Sequence, residues 1–84
     1  MSQATVKVYS TSWCAFCKMA KQYLAGKKVE FKDINIEDDQ TAGMYIMQKT
    51  GQAGVPVIEI GDEVILGFDR ERIDGALRQY KLVD

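Results

Sequence analysis

Eighty-four residues, 46% of them apolar and 27% charged, suit one ordinary globular domain and exclude a disordered chain. The net charge is -1, and the lysines and arginines are spread among the acids, so no basic face is offered to a nucleic acid. No apolar stretch reaches membrane-spanning length, and the first residues lack a charged head followed by an apolar core. The expectation is a monomeric cytoplasmic domain over residues 1–84.

In chain order, Val6-Lys7-Val8-Tyr9 alternates apolar and polar residues, as a strand does. Ser10, Thr11 and Ser12 break the pattern and offer capping side chains. Phe16, Met19, Ala20, Tyr23 and Leu24 then fall at helical spacing, and Gly26 is placed to end that helix. A second strand is expected around Val29 to Ile36. Asp38 or Asp39 caps a second helix through Met44 and Met47 to about Lys49, closed by Gly51. The runs Val57-Ile58-Glu59-Ile60 and Glu63-Val64-Ile65-Leu66, parted by Gly61-Asp62, read as a hairpin. Asp69 caps a last helix with Ile73, Ala76, Leu77 and Tyr80 on one face. The order β-α-β-α-β-β-α calls for an α/β fold. A parallel pair comes from the first βαβ unit and an antiparallel pair from the hairpin, making a four-stranded mixed sheet flanked by helices.

The chemistry is concentrated in Ser12-Trp13-Cys14-Ala15-Phe16-Cys17-Lys18, where the first strand turns into the first helix. The chain has two cysteines and no histidine. A bridge across three positions closes so short a loop that it stabilises the fold little, which favours a chemical role over a structural one. Half a zinc site is the competing reading. Zinc takes about four ligands, usually Cys or His, and neither residue occurs elsewhere in the chain. In a reducing compartment a Cys-x-x-Cys beside a βαβ pattern is a redox signature.

At the first helical turn, Cys14 faces unpaired backbone N–H groups and the positive end of the helix dipole, which favour a thiolate. Lys18, one turn on, adds a positive charge on the same face. Cys17 shares a face with Ala20 and Leu24, so it lies nearer the core. Cys14 is therefore expected to attack a substrate disulfide and Cys17 to resolve the mixed disulfide.

The strand before Cys14, the Cys-x-x-Cys, Gly54-Val55-Pro56-Val57 and Gly67-Phe68-Asp69 together resemble the glutaredoxin family, and within it the NrdH-redoxin-like branch. The resemblance spans essentially the whole chain and implies the thioredoxin fold. It also implies a small dithiol oxidoreductase that reduces protein or glutathione mixed disulfides. By this resemblance the Val55-Pro56 bond should be cis, and Trp13, Ala15, Phe16, Val55 and Pro56 should meet the substrate, with the Val55 backbone pairing to an extended chain.

Gly67, Phe68 and Asp69 would hold the γ-glutamyl end of glutathione, and Lys49 and Gln52 are the candidates by motif position for its other end. From the residues alone, Asp69 is a helix cap, Phe68 a packing residue, Lys49 a solvated helix-terminal lysine and Pro56 the guard of a strand start. No tightly bound cofactor is implied. Glutathione would act as a co-substrate, and electrons would come from it or from a thioredoxin-reductase-like flavoprotein. The resemblance carries one alternative, a glutathione-assisted iron-sulfur cluster carrier.

Four departures stand out. Cys-Ala-Phe-Cys replaces the Cys-Pro-Tyr-Cys of many glutaredoxins, and Trp13 is thioredoxin-like. Thr11 stands where many of them have Lys or Arg. Of the Trp-Ser-Gly-Phe-Arg-Pro segment usual in NrdH-redoxins, only Gly67-Phe68 remains.

Overall fold

The computed structural model describes residues 4–52 and 54–83, so the reading of Met1 to Gln3 as free of a leader lies outside it. The elements follow the expected order: β1 Val6–Ser10, α1 Ala15–Gly26, β2 Lys32–Asn35, α2 Gln40–Thr50, β3 Val57–Ile60, β4 Glu63–Leu66 and α3 Arg70–Gln79. The sheet order is β2-β1-β3-β4, with β1 parallel to β2 and antiparallel to β3, and β3 antiparallel to β4.

Strand alternation sorts the side chains to two faces. Val6, Val8, Ile58, Ile60 and Ile65 point to one face, where Ala20 and Leu24 of α1 and Ile73, Ala76 and Leu77 of α3 close the main core. Tyr9 and Val57 point to the other face, against Ile46 of α2. The sheet is thus covered on both sides. Among the described residues no helix is long and apolar enough to cross a membrane.

Two helix starts and one stop follow the local signals. Asp39 caps α2 by accepting the Ala42 N–H at 3.0 Å, Asp69 caps α3 by accepting that of Arg72 at 3.3 Å, and Gly51 ends α2 in the left-handed region.

Four expectations are corrected. Gly26 is the last residue of α1, not its stop. The left-handed position belongs to Lys28, while the Val29 and Lys28 amides return to the carbonyls of Leu24 and Ala25, a Schellman arrangement with Val29 buried beneath it. Residues 27–29 therefore finish a helix, and β2 begins only at Lys32, not near Val29.

Nor do the serines and threonine after β1 cap α1. Cys14 itself is the N-cap, because the Ser10 hydroxyl is drawn to Asp33 at 2.9 Å and that of Ser12 to Glu37 at 2.8 Å. Finally, α1 buries Cys17, Ala20 and Leu24, whereas Phe16 and Met19 face outward. The apolar spacing in this helix describes two stripes, and only one of them enters the core.

Candidate functional site

Four segments meet at one end of the sheet. In the parallel pair Ser10 is opposite Asn35, so the 11–14 turn leaves β1 beside the Ile36–Glu37 turn that leaves β2. In the antiparallel pair Tyr9 is opposite Val57, which brings Val55-Pro56 to the same end. Val57 is opposite Leu66, and the Gly67 amide donates to the Pro56 carbonyl at 2.9 Å. The Val55-Pro56 bond is cis, as the resemblance implied.

The two cysteines are free thiols, and they differ in exposure. Cys14 retains 7% of its surface and Cys17 none. The Cys17 amide donates to Cys14 Sγ at 3.1 Å, so the sulfur of the outer cysteine occupies the place of a capping oxygen. A thiolate there would receive a charge-assisted hydrogen bond, stronger than the one a neutral thiol accepts.

Burial, with the hydrogen bond to Cys14 second, pushes the Cys17 thiol from 9.0 up to about 12. The Thr11 backbone and the charge of Lys21 act in the opposite direction. A raised pKa in the fold means that the neutral thiol is the favoured form. Its contribution to stability is complete below about pH 9 and is lost as pH rises toward about 12. Reduced protein should therefore lose melting temperature between these values more steeply than the Cys17→Ala variant does. Parallel curves for the two proteins would remove Cys17 as the cause.

The other residues singled out from sequence divide into two groups. Trp13 at 73% and Phe16 at 60% exposure flank Cys14 with apolar surface, Ala15 is exposed, Val55 is half-buried and Pro56 is buried. Lys18 is exposed, and its amide donates to the Cys14 carbonyl. In the proposed glutathione set, the Gly67 amide is committed to Pro56 and the Asp69 carboxylate to its cap. Phe68 is half-buried edge-on against Tyr23, 5.6 Å between centroids. Lys49 lies with Nζ 5.8 Å from the Tyr45 ring centroid, and the exposed Gln52 is tied by its backbone to the Thr50 hydroxyl.

Sequence reasoning missed three contributors. Lys21, paired to Asp33 at 2.9 Å, is a lysine whose charge acts on Cys17; Lys18 was singled out for Cys14 alone. The buried Thr11 hydroxyl has no hydrogen-bond partner among the described residues. Glu37 accepts both the backbone N–H and the hydroxyl of Ser12 at 2.8 Å, and these donors, the backbone first, hold its carboxyl below the ordinary range. An acidic residue just past a strand was the only available signal for Glu37. Among the described residues no three His, Cys, Asp or Glu side chains converge as a metal site.

The glutaredoxin family model matches residues 6–65. A glutaredoxin-like 8.6 kDa protein in the rubredoxin operon of Clostridium pasteurianum is 41% identical over 69 residues, 82% of this chain and 92% of that one. Glutaredoxin 3 of Escherichia coli is 30% identical over 66 residues, 79% of this chain and 80% of the other. Among solved structures, the Archaeoglobus fulgidus glutaredoxin superposes with a TM-score of 0.80 at 29% identity, covering 89% of this chain and 87% of its own. The Escherichia coli NrdH-redoxin shares the fold, with a TM-score of 0.75 at 22% identity over 84% of this chain and 92% of its own. With the paired cysteines at the start of α1, the chain belongs to the glutaredoxin family of thiol-disulfide oxidoreductases.

Proposed function

We propose that this protein reduces protein disulfides and glutathione mixed disulfides in a reducing, cytoplasmic setting, with Cys14 as the attacking sulfur and Cys17 as the resolving one. The observation that carries the reading is the asymmetry of the pair: Cys14 is at the helix cap with some exposure, and Cys17 is fully buried with its thiol pushed up to about 12. The Cys14 thiolate attacks one sulfur of the substrate disulfide. A Cys14–substrate S–S bond forms, the substrate bond breaks, and the first thiol leaves. Cys17 then gives up its proton and attacks Cys14 Sγ, which expels the second substrate thiol and closes the Cys14–Cys17 disulfide. Two electrons from the reductant restore the dithiol. Trp13, Ala15, Phe16, Val55 and Pro56 line the approach, with the Val55 backbone available to an extended substrate. In this scheme Lys18 supplies long-range positive charge to the Cys14 thiolate.

For the reductant, we favour a thioredoxin-reductase-like flavoprotein over glutathione. Glutathione carries two carboxylates, and a strong site would meet them with cations or free amides. Here the Gly67 amide and the Asp69 carboxylate already have internal partners, Thr11 is neutral, and Lys49 lies over Tyr45. NADPH oxidation coupled through thioredoxin reductase should run faster than oxidation coupled through glutathione and its reductase at matched concentrations. Asp69→Asn keeps a good N-cap while removing the charge that would meet the ligand's amino group. It should leave the thioredoxin-reductase route unchanged. A faster glutathione route that Asp69→Asn selectively impairs would reverse this preference. The cluster-carrying alternative gains no support from the site, where Cys17 is placed for dithiol exchange.

A further inference from the structure

The turn that leaves β2 is fixed from several directions. The Ile36 amide donates to the Ser10 carbonyl at 2.9 Å, the Glu37 amide to Asn35 Oδ1 at 2.8 Å, and the Asp38 and Asp39 amides to the Asn35 carbonyl at 3.1 Å. From this braced base the Glu37 side chain reaches across to the turn before the nucleophile. One oxygen, Oε1, takes the Ser12 amide and the Ser12 hydroxyl, both at 2.8 Å, immediately before Trp13 and Cys14. At its far end the 11–14 turn is held through Cys14, whose Sγ accepts the Cys17 amide at 3.1 Å and whose carbonyl accepts the Lys18 amide at 3.3 Å. The turn's internal bond, from the Cys14 amide to the Thr11 carbonyl, is long at 3.4 Å, and the Thr11 hydroxyl has no partner among the described residues.

We propose that Glu37 is a positioning residue of the redox centre: by gripping Ser12 from the β2–α2 turn, it sets the geometry from which Cys14 attacks. The claim rests on Cys14 as the attacking sulfur. It concerns placement, because Glu37 donates to and accepts from nothing in the sulfur chemistry itself. A charge-assisted acceptor suits the task, since it holds two donors of one residue at once. A neutral amide oxygen at the same place can still accept both, whereas alanine can accept neither.

Trp13 is the only tryptophan in the chain, so its emission reports on this turn alone. In Glu37→Ala, time-resolved anisotropy of Trp13 should show a larger fast component. The rate of attack on hydroxyethyl disulfide should fall roughly tenfold, the scale of a misplacement somewhat under 1 Å. Glu37→Gln should restore both readouts to within about threefold of the parent, because its amide oxygen still accepts from Ser12. Glu37 is exposed, so neither variant removes core packing, and melting temperatures should stay close to that of the parent. Unchanged anisotropy and rate in Glu37→Ala overturn the proposal. So does Glu37→Gln as impaired as Glu37→Ala, which would mean that charge matters and position does not. The anisotropy of Trp13, the neighbour of Ser12, reads how firmly the turn is held whichever cysteine attacks, so its failure is distinct from a wrong assignment of Cys14.

Discussion

Cys14→Ser is expected to abolish disulfide reduction, lowering turnover by about three orders of magnitude or more, while Cys17→Ser is expected to accumulate mixed disulfides with substrate. Serine at position 14 leaves a hydroxyl that is almost wholly protonated at neutral pH, so no adequate nucleophile remains at the helix cap. Serine at 17 leaves the first attack in place, because the backbone amide of residue 17 still donates to Cys14 Sγ. What disappears is the internal sulfur that frees the substrate, so release must wait for an external thiol. Mass spectrometry of each variant after exposure to a disulfide-containing protein gives the answer. Covalent adducts on Cys17→Ser and none on Cys14→Ser support the assigned roles. Equal trapping by both variants, or retained turnover in Cys14→Ser, shows the assignment to be wrong. The burial difference is modest, 7% against 0%, yet it agrees with the direction of the Cys17 shift, and both place the more accessible sulfur at Cys14.

Features set by neighbours in sequence were legible in advance. The Asp39 and Asp69 caps, the Gly51 stop, the Gly61-Asp62 loop and the Cys17-Ala20-Leu24 stripe each depend on residues within two turns of one another. Features decided across the fold were not. Ser10 and Ser12 carry good capping hydroxyls, but Asp33, 23 residues on, and Glu37, 25 residues on, engage them instead. The cap then passed to a cysteine.

Phe16 and Met19 fit a helical period as well as Ala20 and Leu24 do. Only the position of the sheet decides which stripe is buried, and the exposed one leads from Trp13 along α1. Val29 opens the stretch expected as the second strand, yet its amide completes the end of α1. In the site, the paired cysteines carry a local signature in their spacing. Lys21, four residues after Cys17 in α1, had the same helical spacing that singled out Lys18, whereas Glu37 offered only its place just past a strand.

Gly61→Ala should be among the most destabilising single-methyl additions in the chain. Ile60 and Glu63 are paired opposite one another, so Gly61 and Asp62 form a two-residue hairpin loop, and only Gly61 has positive φ, at 57°. That is the pattern of a type II′ turn, whose first central position favours glycine. The ring of Tyr80, beyond the end of α3, lies directly over this glycine. A β-carbon there would fall 2.5 Å from Cζ and 2.6 Å from Cε1, while the Tyr80 hydroxyl accepts the Asp62 amide at 3.0 Å. The ring cannot swing away without giving up that hydrogen bond and its packing on the main core.

An alanine in the left-handed region costs about 1–2 kcal/mol, and forcing apart a packed contact adds about 1–3 kcal/mol. Against a total stability of about 5–15 kcal/mol for a small domain, the sum is a large fraction. Melting temperature should fall by roughly 10 °C or more. The two causes separate in the Tyr80→Ala background, where the clash is gone and Gly61→Ala should cost only its backbone part. A Gly61→Ala protein that melts within a degree or two of the parent would mean that Tyr80 does not seal the hairpin. An equal cost in both backgrounds would assign the whole effect to the turn. The expected result lies between these: a large loss in the parent, roughly halved without the ring, because the same glycine serves both the turn and the contact with Tyr80.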